Sequence, residues 1–526
     1  MNNTTNINSS PQLYPHLYNG NYTPFQMTLP LNTEILISKN DPVFSFNEVM
    51  EGVNLGKFIV RNHKGRQEYN PFMMIKVVLF GEMLGGKSLR ELEELCRNDI
   101  RFMFLAQNET PSHMAFSRFL NNNLKGNIKD VFYEINSKLI KLSNIDTSKI
   151  YIDGTKFEAN ANKFTFVWKK VAIKTRDKTF ERITLLINKL NKDYSLSYET
   201  SSEYSLDYVD SVINSLILLL NSLSIDLVYG KGKRKTLLQR DLDLMVNYLF
   251  SLYSATTRID ICGEDRNSYS KSDYDATMMH MKEDYYSKTG IFKAGYNVQI
   301  GVSDEYIMEL YISNARSDMA TLIPFLEKYK LNYNVLPDKI VADAGYGSYD
   351  NYMYLTLEHR ELFIKYNTYS IEKTAKYKRR TYNKNNWQKD EDNNFICPQG
   401  HTLEYIEDRS HNKGKYYRVN QIYQTDKCQS CPVKSECTKS ENGRTVTSNF
   451  VLDEFQSKVK KNLDSQEGIE LRVQRSIQSE GAFGIIKHNN GKTRFRRRGI
   501  DNVSLEMYIA VIGFNLMKYH QKKFRN

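Results

Sequence analysis

Two short apolar runs, each closed by an aspartate, constrain this chain most. The first is Lys149-Ile150-Tyr151-Ile152-Asp153-Gly154. The second is Lys339-Ile340-Val341-Ala342-Asp343, followed by Ala344-Gly345-Tyr346-Gly347. Short runs rich in Ile, Val and Tyr and bounded by Gly read as buried strands. A buried strand needs sheet neighbours, so two such runs far apart in sequence imply a sheet assembled from distant segments. Between them, Tyr296, Val298, Ile300 and Val302 alternate with other residues, as do Met308, Leu310 and Ile312. With Ser303-Asp304-Glu305 in the middle, these predict an antiparallel hairpin. A helical segment is expected near residues 320–329 and one more short strand over Leu362 to Lys365. Both aspartates fall where their runs are expected to stop, the first followed by a turn at Gly154, and strand ends are where reactive groups gather in α/β sheets. The expected fold class is α/β.

Helical patterns surround and interrupt these strands. Residues 1–43 are rich in Asn, Thr, Pro and Tyr without periodicity and are expected to form a flexible arm. Residues 44–145 read as an all-α N-terminal domain. Asn70-Pro71 starts one helix, which Gly85-Gly86 stops. Ser88-Leu89-Arg90-Glu91 is a capping box for the next, and Thr110-Pro111 opens a third that carries His113 and Arg118. Short helices with tight connections suit a helix-turn-helix-like DNA-binding domain with Arg118 as a candidate contact; they also suit a bundle that only packs. From about Val171 to Tyr253 the spacing is helical again, within an insertion of about 165–290. Ile183, Ile187 and Leu190 form one stripe, and Leu238, Leu242, Met245, Leu249 and Leu252 form another. These predict a helical insertion whose stripes are its core. The basic turn Gly230-Lys231-Gly232-Lys233-Arg234-Lys235 separates its later helices. Residues 370–450 are polar and hold a cluster of cysteines.

Composition narrows the function classes. The 526 residues carry 73 Lys and Arg against 61 Asp and Glu, a net charge of +12, which points to a polyanionic partner such as nucleic acid. No signal peptide is expected, because the first cationic residue is Lys39 and no apolar run follows Met1. The most apolar stretch, Val209 to Leu223, is broken by Asp210, Asn214, Asn221 and Ser222, so no membrane span is expected. Cys96 and Cys262 are isolated and read as small buried hydrophobes, and six cysteines in so long a chain are no disulfide framework. A reducing, cytoplasmic setting is expected.

Two carboxylates brought together at strand ends repel each other unless a cation lies between them, and oxygen-only ligands suit Mg²⁺ or Mn²⁺. A third candidate is Glu480, in a helical run where Ile469, Val473 and Ile477 form an apolar stripe. Lys487 lies seven residues on, two turns along nearly the same helix face, and Gly481 and Gly484 allow close backbone approach. A carboxylate and an ammonium so arranged could face a metal and a phosphate together.

Three stretches together resemble DDE transposases of bacterial insertion sequences. They are Tyr151-Ile-Asp153-Gly-Thr155-Lys-Phe-Glu-Ala-Asn160-Ala-Asn162, Val341-Ala-Asp343-Ala-Gly-Tyr346-Gly, and Glu480-Gly-Ala-Phe483-Gly-Ile-Ile-Lys487 followed by Arg494-Phe-Arg496-Arg-Arg-Gly499. The chain is most similar to the insertion-sequence-four-like superfamily, and within it to the family called eleven-eighty-two. The resemblance runs from about residue 44 to 520. It implies a ribonuclease-H-like catalytic core over residues 146–526, split by the helical insertion at about 165–290 and the Cys-containing insertion at about 370–450. It further implies that Asp153, Asp343 and Glu480 hold two Mg²⁺ (or Mn²⁺) ions, about 4 Å apart, for cleavage at transposon ends and joining to target DNA. A homodimer or larger synaptic complex would hold the ends. Lys487 falls where the superfamily has a phosphate-contacting Lys. The superfamily also places a Tyr and an Arg seven and four residues before the Glu; here those positions are Val473 and Ser476. Arg472 or Arg475 could replace the Arg, but on a straight helix neither shares the face of Glu480. Trp168 and Trp387 are candidates to stack on a flipped base, as a Trp does in some relatives.

Cys397, Cys428, Cys431 and Cys437 remain. The Cys428-Gln-Ser-Cys431 pair has zinc-knuckle spacing, so the four are expected to hold a structural Zn²⁺, with His401 as a spare ligand. From Lys487 to Asn526 there are ten Lys or Arg against two acids, and Arg494, Arg496, Arg497 and Arg498 flank Phe495 in a run suited to DNA phosphates. Three readings stay open on sequence: a transposase, a transposase-derived DNA-binding protein without chemistry, and a metal-dependent nuclease without strand transfer.

Overall fold

The computed structural model describes residues 37–55, 68–230, 232, 234–281, 290–412 and 414–525. Most of the expected flexible arm lies outside them, as do Lys231 and Lys233 of the basic turn. At the centre is a mixed sheet of Lys149–Glu158 (β1), Thr277–Met281 (β2), Ile291–Ser303 (β3), Tyr306–Ser313 (β4), Lys339–Ala342 (β5) and Glu361–Ile364 (β6). The order is β4-β3-β1-β5-β6, with β2 on the same edge of β3 as β4. Strand β3 is antiparallel to both neighbours, whereas β1, β5 and β6 run parallel. The expected β3–β4 hairpin is present and turns through Asp304 and Glu305, both at positive φ (53° and 68°). Such turns match the right-handed twist of the strands they join.

One strand differs from its sequence reading. β1 does not stop at Asp153 but runs on to Glu158, and Gly154 pairs with Gln299 inside the sheet. Here glycine makes room for a side chain instead of turning the chain: a Cβ at Gly154 would lie 2.4 Å from the Gln299 amide.

The N-terminal helices are Pro42–Met50, Pro71–Met83, Leu89–Asn98, Ile100–Ala106, His113–Phe119 and Ile128–Ser143. The Asn70 side chain caps the second by accepting from the Phe72 amide, and Ser88 and Glu91 form the capping box of the third. The helix expected to open at Thr110-Pro111 starts at His113, because Ser112 is the residue whose hydroxyl accepts from the Ala115 amide. The last helix, Ile500–Lys523, packs on the first, second and sixth of these and on β4. Helices and sheet thus share one apolar core. A buried polar knot crosses it. Tyr133 donates to Glu309, Lys328 lies 3.0 Å from the same carboxylate, and Asn515 donates to Asn136 and to the Ile307 carbonyl. Burial raises the Glu309 carboxyl and lowers the Lys328 ammonium, so each is the partner the other needs.

Two insertions leave this core. The helical one is entered through Phe166–Trp168 and left through Ser268–Ser270, which pair as a two-stranded ribbon. Between them lie helices Lys169–Tyr194, Leu206–Ser222 and Leu237–Cys262, with an apolar cluster of their own. Both predicted stripes enter that cluster, with Leu249 only partly buried. Strand β2, within the range 165–290, belongs to the main sheet. The second insertion carries strands Gln388–Lys389, Phe395–Ile396, Thr402–His411, Arg418–Gln424 and Val446–Ser448 in a second sheet. Its cluster contains Phe395, Leu403, Tyr423 and Val446, with Trp387 and Cys397 packed against it.

Candidate active site

The parallel pairing of β1 with β5 places the two aspartates. Ile152 is paired with Ala342, so Asp153 and Asp343 follow side by side on neighbouring strands. Past Ala342 the chain leaves the sheet, and Asp343 caps a short 3₁₀ turn, its Oδ1 accepting from the Gly345 amide at 2.8 Å. Asp153 Oδ1 accepts from the Gly154 amide at 2.9 Å.

A fourth carboxylate, absent from the sequence reading, joins them. Asp318 Oδ1 accepts from Asn297 Nδ2 (2.7 Å) and Gln299 Nε2 (3.2 Å), both on β3. The other face of the Gln299 amide accepts from the Tyr346 hydroxyl. Tyr346 is buried, and that burial together with Asp318, Asp153 and Asp343 holds its hydroxyl far above the usual tyrosine range. It stays a neutral donor. Nothing in the local sequence around Asp318 marks it; it opens a 3₁₀ turn and reaches the site through residues of β3.

Glu480 comes from the helical run that starts at Gln466–Arg475. The run is not a straight α-helix: Ser476–Glu480 and Ile485–Asn489 are π-helical turns on either side of Gly481–Gly484. A π turn bonds i to i+5 and shifts every later residue around the axis. Arg475 consequently reaches the Glu480 side, with Nη2 3.4 Å from Glu480 Oε1 and Nη1 3.6 Å from Asp153 Oδ1. The straight-helix expectation, which set Arg475 off that face, is corrected by this turn. The stripe of Ile469, Val473 and Ile477 is corrected as well. These are exposed, and the run packs instead through Leu471, Ala482, Phe483 and Ile486.

The electrostatics follow from this crowding. Burial pushes the Asp153 carboxyl up to about 6; Arg475 opposes that, while Asp343 and Glu480 add to it. The Lys365 ammonium, at the end of β6, is pulled down by burial and by Arg475 and Arg472, against Asp343 and Glu480. Acids and bases therefore crowd together at one end of the sheet. Lys487 donates to Thr155 Oγ1 (2.6 Å) and to the Lys156 carbonyl (2.9 Å) and lies over the Phe157 ring. It is tied to β1 on the strand face that Asp153 and Thr155 share.

The basic run is held close to the end of β1. Phe495 is buried against Phe157 and Tyr296. Arg494 donates to the carbonyls of Ala159 and Ala161, and Arg498 to that of Asn160. Arg497 donates to Asn121, and the backbone amide of Arg496 to Glu506. Arg118 is exposed on its helix, about one turn from Asn121. Trp168 is 43 % exposed at the ribbon, whereas Trp387 donates to the Thr381 carbonyl beside the cysteines.

Cys397, Cys428, Cys431 and Cys437 line one small cavity with His401. Burial pushes the Cys437 thiol up and Arg444 opposes it, while Cys428, Cys397 and Cys431 add to the rise. Gly443 (φ +89°) passes so close to Cys428 that a Cβ there would meet it at 2.6 Å. Cys96 and Cys262 are buried singly. Among the described residues, no group of three His, Cys, Asp or Glu side chains is arranged to hold a metal ion as it stands. The donor chemistry nonetheless fits: Asp153, Asp343 and Glu480 offer hard carboxylate oxygens, and the cysteines offer four thiols.

Residues 396–520 match the family model described as Transposase DDE domain, and residues 31–122 match that described as Transposase domain (DUF772). No curated protein and no solved structure matches the chain. The first match takes in Glu480 and all four clustered cysteines. The two matches together support a DDE transposase. Among the described residues no helix is long and apolar enough to cross a membrane.

Proposed function

We propose that this chain is a DNA transposase of the eleven-eighty-two type. In this reading it binds the inverted-repeat ends of its own insertion sequence, cleaves them and joins them to target DNA. The observation that carries the reading is the meeting of Asp153, Asp343 and Glu480 at one end of a sheet of order β4-β3-β1-β5-β6 in which β3 alone runs opposite. That order supports a ribonuclease-H-like core. Asp153, Asp343 and Glu480 would hold Mg²⁺ or Mn²⁺, with Asp318 beside them. Bound there, such ions supply charge neutralisation and activation of an attacking oxygen.

The chain's own groups do the rest. Tyr346, through Gln299, fixes the Asp318 carboxylate, and the Gly154 and Gly345 amides orient the carboxylates of Asp153 and Asp343. Lys487 and Lys365 set positive charge beside the acids for a phosphodiester. Arg494, Arg496, Arg497 and Arg498, with Arg118 on the helical region, form the DNA-facing surface in this reading. Two ends must be held at once, so the working form is a dimer or a larger synaptic complex, acting in the cytoplasm on the nucleoid.

The test is an assay on DNA carrying the sequences that flank the gene, with Mg²⁺ and with Asp153→Ala beside wild type. Cleavage at the ends that vanishes in the variant, together with joined products, is expected. Cleavage without joining would mean a nuclease, and specific binding without cleavage in Mg²⁺ or Mn²⁺ would mean a DNA-binding protein.

The cysteine cavity supports a second assignment within the same reading. The four thiols would hold a structural Zn²⁺ with His401 outside the ligand set, closed to substrate.

A further inference from the structure

The guanidinium of Arg475 lies between two of the three carboxylates at the centre of the site. It is 12 % exposed, its Nη atoms are 3.6 Å from Asp153 and 3.4 Å from Glu480, and its Nε has no hydrogen-bond partner. These distances are long for charge-assisted hydrogen bonds, which close to about 2.7–2.9 Å. A guanidinium committed to a structural pair usually binds a carboxylate two-pronged with its nitrogens satisfied. Here it spans two acids loosely and leaves a donor buried and unused. The π turn at Ser476–Glu480 brings it there, by putting a residue five positions before Glu480 within reach of it.

We propose that Arg475 is a built-in counter-ion that must leave before a divalent cation can enter, so that it sets the metal affinity of the site. This rests on the carboxylate-site reading above. An ion ligated by Asp153 and Glu480 needs the oxygens that Arg475 faces, and a divalent cation repels a guanidinium a few ångströms away. Both cannot occupy the gap. Once displaced, Arg475 stays anchored by its backbone, whose carbonyl accepts from the Ser479 hydroxyl at 2.6 Å, and remains within a side chain's length of the site, with Lys365 and Arg472 near it. An anion arriving there, such as a backbone phosphate, would draw Arg475 away from the acids. By linkage, what draws the arginine away tightens the metal, and metal entry in turn favours the anion. The site thereby resists loading until a phosphodiester is present. Arg475 is on this account a positioning residue that acts through the carboxylates.

The experiment uses the full chain without DNA and Mn²⁺ as the probe, with binding read by titration calorimetry and by the loss of the free-ion electron paramagnetic resonance signal. Arg475→Gln is expected to tighten Mn²⁺ binding about tenfold or more, whereas a merely structural arginine would leave it unchanged or weaken it. Arg475→Lys keeps the charge on a chain that cannot span both acids, and a smaller tightening is expected. If the glutamine variant fails to fold, judged by its circular dichroism, the lysine variant decides. Unchanged or weaker Mn²⁺ binding in a folded variant overturns the proposal. Asp153→Asn separates the two readings. Loss of Mn²⁺ binding there, with no response to Arg475, would overturn the gate and leave the site standing. Binding equal to wild type in Asp153→Asn would remove the site and the gate with it.

Discussion

The two insertions leave the same core and hold themselves together differently. Among the described residues the helical insertion buries fifteen apolar side chains in its own cluster; the cysteine-bearing insertion buries four. A three-helix unit with long apolar stripes supplies its own driving force, at about 25 cal/mol per Å² of apolar surface removed from water. A sheet with four residues in its own apolar cluster cannot offset the chain entropy of some sixty positions in the same way, and small units of that kind add disulfides or a metal. Its cysteines are free, and the zinc proposed for them would supply what the small core does not. On that reading, one chain builds a core from volume in one place and from ligation in another.

Removing metal should break this symmetry most. Zinc sites of the structural kind hold on the order of 10 kcal/mol of binding free energy. Stripping the protein with a strong chelator, or Cys428→Ser, should abolish hydrogen-exchange protection over residues 388–448 and leave residues 169–262 as they were. Elemental analysis should find one zinc per chain before treatment. No zinc in the purified protein, together with full protection over 388–448, would erase the distinction. Next in size is Leu216→Ala. Leu216 is fully buried in the helical cluster, so the change should destabilise that insertion by about 2–5 kcal/mol. Exchange should speed up over 169–262, and the cysteine region should not respond. A change outside both insertions serves as the control. The Asp153 carboxyl is raised to about 6 in the fold, above its unfolded value near 3.8. The native state therefore holds that proton more tightly. The carboxyl's contribution to metal-free stability is full below about pH 4 and is lost as pH rises through 6. Asp153→Asn removes the charge and should stabilise the metal-free protein by about 2 kcal/mol at pH 7, fading below pH 4. Chemical denaturation at pH 4 and pH 7 reads both ends, and neither insertion should change its protection.

How much of this the sequence discloses depends on whether the message is local. The two aspartates are legible because each ends an apolar run, and the stripes at Ile183 and Leu242 are legible because period and burial agree. Gly154 is misread because glycine has two uses, and only the pairing with Gln299 tells a turn from a vacancy on a strand. The Ile469 stripe is misread because amphipathicity gives a face without saying what covers it. Arg475 is hidden by the assumption of 3.6 residues per turn, which a single π turn cancels. Asp318 carries no local sign at all, since its partners Asn297 and Gln299 are polar residues buried on β3 by the packing of the whole sheet.

The ribbon at the foot of the helical insertion has one more consequence. Trp168 and Ser268 are paired across it, so the chain leaves and returns at almost one point. A two-residue Asn-Gly turn spans such a gap. The hundred residues between are thus a detachable cassette. Lengthening them, exchanging them for another helical unit or cutting them to a hairpin is expected to leave the register of β1 and β3 and the place of the carboxylates unaltered.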